Sequence, residues 1–250
     1  AEKAGIIKPG AACVTGKLLP EALAVVEARC RDVGVPLFQT EQEIAVDDIH
    51  IGPQGSRSRV RSHLWPGIEE VAIGLHGRHQ VGNAALALVA LAKLRDLAPV
   101  AAQHVLRGLR DVTIPGRFQH VHELPGLLID VAHNPESMHA FAETVRLVYP
   151  NMTFRVVLGL LRDKDHGAVL QALAPIVREL YCVTPESDRA LPAQDLAESA
   201  RGLGLQIAGQ GSFKELWPGV RQTISEQNPV IVTGSHFLVA EVLRDEAGAE

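Results

Sequence analysis

The second half of this chain repeats one pattern five times. Short continuous apolar runs occur at residues 127–130 (LLID), 154–159, 180–184, 205–208 and 230–233. Helical spacing follows each run, near 135–148, 164–177, 192–203, 213–225 and through Val242. Strands buried on both faces read as unbroken apolar runs, and helical crossovers join parallel neighbours. The region from residue 118 onward is therefore expected to be a doubly wound α/β domain with a mostly parallel sheet. No GxGxxG turn follows the first run. The dinucleotide-dependent dehydrogenase reading therefore falls.

The first half is mixed. Residues 20–33 show helical spacing and stop at Gly34. Residues 43–76 read as short strands with turns at Gly52-Pro53-Gln54-Gly55 and Pro66-Gly67. An Ala/Leu-rich helix over 79–95 is apolar on most faces and expected to be buried, and a short helix covers 99–110. The break Thr113-Ile114-Pro115-Gly116-Arg117 is the best domain boundary. A chain of 250 residues allows one large domain or two modest ones.

Composition removes several classes. With 46% hydrophobic and 21% charged residues, disorder and fibrous folds are out. Only 4% of residues are aromatic, which argues against stacked aromatic platforms for nucleic acid. A net charge of −5 disfavours general duplex binding but leaves room for a local phosphate pocket. Cys13, Cys30 and Cys182 form no CxxC pair. They are expected to be buried free thiols in a reducing compartment, not a disulfide framework or a zinc site. No apolar run is long enough to span a bilayer. The start Ala1-Glu2-Lys3 carries neither an initiator Met nor a signal-peptide layout and reads as cut from something longer.

Ligands of open parallel sheets bind beyond the carboxyl ends of the strands. There this chain places Asp130-Val131-Ala132-His133-Asn134-Pro135, Gly159 with Arg162-Asp163-Lys164-Asp165, Thr184-Pro185-Glu186-Ser187, and Thr233-Gly234-Ser235-His236. Acidic, basic and hydroxyl groups together suit a substrate with carboxylate and amine groups. Each segment also has a structural reading. Asp130 and Ser235 would cap helices, His133-Asn134-Pro135 would be turn chemistry, and Asp163-Lys164-Asp165 an exposed helix start. The remaining histidines show no metal-ligand spacing. The alternation Arg57-Arg59-Arg61 puts three charges on one face of a strand, as a solvated face or an anion contact.

These strings also occur, in this order, in one family: Glu2-Lys3-Ala4-Gly5-Ile6-Ile7-Lys8-Pro9-Gly10, His79-Gln80 with Asn83-Ala84, Pro115-Gly116-Arg117-Phe118-Gln119, Asp130–Pro135, Asp163-Lys164-Asp165 and Thr233-Gly234-Ser235. The chain resembles the bifunctional dihydrofolate synthase/folylpolyglutamate synthases of the Mur ligase superfamily, from residue 1 to about 243. The resemblance implies the latter part of a P-loop-type ATPase domain over 1–112, a hinge over 113–118 and a Rossmann-like glutamate ligase domain over 119–250. It implies a cytoplasmic, monomeric enzyme that uses ATP and Mg²⁺. Such an enzyme adds L-glutamate to dihydropteroate and to folates through an acyl phosphate, without nucleic acid or membrane partners. Lys3 matches a lysine carbamylated in that family. Asn83 matches an adenine contact, Arg117 a phosphate contact and Asp130 a nucleotide-contacting carboxylate. His133 sits near the incoming amine, and Lys164 and Ser235 are candidates for the glutamate carboxylates. One departure is Val131, where many members have Gly. The phosphate-binding motif GxxxxGK[ST] occurs nowhere in these 250 residues, and the family's Mg²⁺-binding Ser, Glu and His lie upstream of residue 1. The chain alone is therefore expected to be inactive. A Mur-type ligase of cell-wall synthesis and a non-catalytic fragment that only binds ligand are the alternatives.

Overall fold

The computed structural model describes residues 2–247. The chain divides into two compact units, one ending at Val112 and the other beginning at Thr113.

In the first unit a 3-10 helix (Glu2–Ile6) precedes strand β1 (Cys13–Thr15), helix α1 (Pro20–Val33) and strand β2 (Leu37–Gln39), which pairs with β1 in parallel. Proline at the start of α1 and Gly34 at φ 70° after its end bound the helix as the sequence reads. A short helix α2 (Thr40–Glu43) leads into an antiparallel meander of β3 (Ala45–Gly52), β4 (Gly55–Arg61) and β5 (Glu70–Ile73). Helices α3 (Arg78–Lys93) and α4 (Ala102–Asp111) complete the unit. Val60, Val71 and Ile73 of the meander share one core with Val81, Ala85, Leu88 and Val89 of α3. The expectation that α3 is buried on most faces is corrected. Gly82, Asn83 and Ala87 are exposed, so small and polar residues mark an outward stripe.

In the second unit five parallel strands and one antiparallel edge strand form a single sheet. Its elements are β6 (Gln119–His120), β7 (Leu127–Ile129), α5 (Pro135–Val148), β8 (Phe154–Leu158), α6 (His166–Leu173), β9 (Val177–Thr184), α7 (Ala193–Gly202), β10 (Ile207–Ser212), α8 (Phe213–Arg221), β11 (Val230–Thr233) and α9 (His236–Ala247). The strand order is β10-β9-β8-β11-β7-β6, and β6 alone runs antiparallel. Every residue of β7, β8 and β11 is buried, which explains their apolar runs. Phe213 and Trp217 of α8 and Val239 and Val242 of α9 pack with Val157, Val183 and Val232. Helices α5, α6 and α7 pack against one another in series.

Three elements differ from the expected pattern. The strand β6 is too short and polar to show as a run. The fourth run stops early because β10 continues through Gly209 and Gly211 to Ser212. The second helix ends at Leu173, where Pro175 turns the chain through a 3-10 turn over Ala174–Ile176.

Of the three thiols, Cys30 and Cys182 are buried. Cys13 is partly exposed, which corrects the expectation of three buried thiols. Burial pushes Cys182 up to about 12. Burial, with Cys30 beside it, pushes Cys13 up to about 11.

The stretch 113–118 lies within the second unit. Phe118 is 4% exposed and its ring meets Phe141, Tyr149 and His120. A fragment of residues 113–250 is expected to unfold cooperatively by itself. Starting at residue 119 instead deletes this buried ring and should cost about 3–5 kcal/mol in urea unfolding. Equal stability of the two fragments would show that the Phe118 ring contributes nothing to the core.

Candidate functional site

Four neighbouring strands, β7, β11, β8 and β9, are parallel and so release their carboxyl ends along one edge of the sheet. Glycine sets how closely the loops meet there. Gly234, just after β11, adopts φ +108°, and a Cβ on it would lie 2.5 Å from the carbonyl oxygen of Gly159 after β8. Only glycine takes that conformation without strain and lets the two backbones approach.

The segments Pro115–Gln119 and Asp130–Pro135 form one hydrogen-bonded unit. Gly116 turns at φ +70°, donates its N–H to Gln119 Oε1 at 2.8 Å and accepts from Val131 N–H at 2.9 Å. Phe118 follows at φ +45°, a conformation that costs energy for a bulky side chain. Asp130 holds it there. Its Oδ2 accepts the Phe118 N–H at 2.9 Å, and its Oδ1 accepts the Ala132 N–H at 2.7 Å. The carboxyl group is 8% exposed. Burial pushes it above the usual carboxylate range, against the two amide donors and the positive charge of nearby Arg117 and His133. Arg117, between the two strained positions, is exposed and makes no side-chain contact with other described residues. Its planar fork of donors is free for phosphate or carboxylate oxygens.

Asp130 thus does not cap the following helix. Asn134 does, accepting Ser137 N–H at 2.8 Å while the Ser137 hydroxyl receives the Asn134 N–H at 3.2 Å. His133 sits just before this cap. Its Nδ1 lies 2.9 Å from the Val131 carbonyl. A carbonyl only accepts, so Nδ1 carries the proton and Nε2 of the neutral ring presents a lone pair outward. The ring of His236, first residue of α9, lies 5.2 Å from that of His133. Burial first, then the charges of His133 and Arg117, push His236 below the usual histidine range, which keeps it neutral at pH 7. Ser235 caps α9 by accepting Leu238 N–H at 3.0 Å and is 2% exposed.

The other candidates are placed differently. Lys164 pairs with Asp163 at 3.0 Å, and Asp163 also holds Arg189 at 2.9 Å. Those contacts tie the loop after β8 to the loop after β9. Asp165 caps α6 through Ala168 N–H. Lys3 is exposed on the first 3-10 helix, and Asn83 is exposed on α3 with its amide bonded to Gln80. Both lie in the first unit. The second unit therefore brings together Arg117, Asp130, His133 and Ser235, with Lys164 one loop away. The ring of His236 is the neighbour that sequence reasoning did not select. It lies far from His133 in the chain, and only the insertion of β11 between β7 and β8 brings the two together. Among the described residues no group of three or more His, Cys, Asp or Glu side chains could hold a metal ion. No helix among them is long and apolar enough to cross a membrane.

Residues 116–236 match the family described as Mur ligase, glutamate ligase domain. The folylpolyglutamate synthase of Lacticaseibacillus casei is 27% identical over 255 residues, covering 99% of this chain and 57% of that protein. The folylpolyglutamate synthase of Mycobacterium tuberculosis, solved with ADP, superposes with a TM-score of 0.80 at 25% identity over 97% of this chain and 57% of its own. A bifunctional folylpolyglutamate synthase/dihydrofolate synthase, solved with Mn, AMPPNP and L-glutamate bound, gives a TM-score of 0.74 at 27% identity, covering 98% and 56%. The chain thus spans a little over half the length of these relatives.

Proposed function

Because residues 116–236 belong to the Mur ligase glutamate ligase domain family and the chain is homologous to folylpolyglutamate and dihydrofolate synthases, we propose that it is the glutamate-docking portion of an ATP-dependent amide ligase acting on dihydropteroate and folates. The observation that carries this reading is the shared network of Arg117, Asp130 and His133 at the carboxyl edge of the second unit's sheet.

In such a reaction ATP converts a substrate carboxylate to an acyl phosphate, and the amino group of glutamate then displaces the phosphate. Arg117, exposed beside a fixed turn, faces phosphate oxygens as a multi-donor fork. His133 Nε2 accepts a proton from the attacking ammonium, its tautomer set by the Val131 carbonyl. Asp130 touches neither ligand. With both oxygens bonded to backbone amides, it holds the Arg117 turn against the His133 loop. The side chains present do not form a Mg²⁺ site, so no step here runs through the metal.

Lys3, Asn83, Lys164 and Ser235 keep the roles the resemblance implies as part of the proposal. Ser235 has the hardest of them, since its oxygen is already engaged at the start of α9 and only its O–H is left to donate.

The reading is tested by preceding this chain with the N-terminal part of the Lacticaseibacillus casei relative and following ADP release and glutamate addition to tetrahydrofolate. Wild type should form product, and the 250 residues alone should form none. His133→Ala should lower kcat by roughly 10²–10⁴-fold. Arg117→Ala should raise the KM for ATP about tenfold or more, since a charged hydrogen bond is lost. Turnover by the 250 residues alone, or full activity of both variants, would remove these residues from the site.

A further inference from the structure

The arginine alternation on β4 has no part in the ligase reading. Arg57, Arg59 and Arg61 all lie on the exposed face of the strand. Two of them are answered by β3: Asp47 pairs with Arg61, and Asp48 pairs with Arg59 at 3.3 Å. Arg57 stands opposite His50, whose ring is itself held by Asp48 at 3.0 Å, and opposite Ala72 on its other side. Among the described residues, the Arg57 side chain has no hydrogen-bond or ion-pair partner.

The space beside Arg57 is built by small residues. Gly52, Gly55 and Ala72 leave a cavity of 440 Å³ between the β3–β4 hairpin and Arg110 of α4, with Ile51 and Pro53 in its wall. Gly55 is required there: it adopts φ +110°, and a Cβ would lie 2.2 Å from the Ile73 carbonyl oxygen. Arg110 is neutralised by Asp111 at 2.8 Å. A second cavity of 480 Å³ shares His50 and Arg57 but adds Asp48, Glu69 and Glu70. One uncompensated cation therefore faces an apolar wall on one side and carboxylates on the other.

This charge pattern selects the ligand. A multiply charged anion would meet Glu69 and Glu70. A hydrated phosphate would leave the apolar wall unused. A carboxylate on a small apolar body satisfies the cation and the wall together, the usual division of labour in small-molecule pockets. We propose that the groove between the β3–β4 hairpin and α4 binds a monocarboxylate, its charged end on Arg57 and its apolar body against Ile51, Pro53 and Ala72. The proposal is independent of the ligase reading and involves none of its residues.

The test is a titration of the ¹⁵N-labelled 250-residue chain with benzoate, read by amide shifts. Residues of the hairpin and Ala72 should shift in a saturable way. Arg57→Ala should weaken the affinity about tenfold or more, and Arg59→Ala should leave it within about twofold. Arg57→Gln, which keeps the length of the stem, should behave as Arg57→Ala. Neutral benzamide should shift these residues at least about tenfold more weakly than benzoate. No saturable shift, equal shifts with benzamide, binding unchanged in both Arg57 variants, or inorganic phosphate binding as tightly as benzoate would each overturn the proposal.

Discussion

Asp130→Ala is expected to destabilise the second unit by about 2–5 kcal/mol, because it strands two buried backbone donors at once. The Phe118 and Ala132 N–H groups both lose their acceptor. Phe118 also loses the bond that holds it at φ +45°, so the turn carrying Arg117 should relax toward an ordinary conformation. Urea unfolding of the whole chain measures the loss, and amide exchange at Phe118 should speed up. A change below about 0.5 kcal/mol would mean that the carboxylate is not the peg of this turn. The pH dependence has a definite sign. Burial raises the Asp130 carboxyl above its unfolded value, so its contribution to stability is present at low pH and fades as pH rises through the raised value. Asp130→Asn should therefore remove that part of the slope and should not add acid sensitivity.

The second large effect is expected at Gly234. Alanine there must adopt φ +108° and place its Cβ 2.5 Å from the Gly159 oxygen and 2.7 Å from Leu158 Cδ1. Neither neighbour is free to move, since Leu158 is fully buried and the Gly159 N–H is bonded to Thr233. The cost should reach about 3–5 kcal/mol, with the loops after β8 and β11 forced apart. Gly167→Ala is the internal control. It lies in helix α6 with nothing nearer than Asp165 Oδ1 at 3.7 Å. That change should be neutral or stabilising by up to about 1 kcal/mol. Thermal unfolding of both variants decides the matter, and similar midpoints would refute the close-approach account of Gly234.

The sheet was legible where burial is complete. Strands β7, β8 and β11 carry apolar side chains on both faces, so their positions show as unbroken runs. Edge strands follow other rules. Gln119 and His120 form β6 through two residues with no apolar signal, and glycines carry β10 past the point where hydrophobicity stops. The strand order was not readable either. The last strand inserts between the first two, and nothing local in Val230–Thr233 says so.

The candidate site was legible as a set of loops, but not as a division of labour. Spacing alone left Asp130 and Asn134 equal as helix caps. The structure gives the cap to Asn134 and turns Asp130 back onto Phe118, many residues earlier, through a contact that no periodicity encodes. Individual roles for Arg117 and His133 came from family resemblance. The structure adds that one hydrogen-bonded frame supports both.

The three thiols give the chain an internal reporter. With Cys13 and Cys182 held protonated at neutral pH and Cys30 enclosed, a maleimide or disulfide reagent should label the native protein slowly. Each site becomes reactive only when its own surroundings open. Cys30 reads the first unit and Cys182 the second. Mass spectrometry of a single labelling time course would thus separate opening of one half of the chain from opening of the other, with no engineered probe.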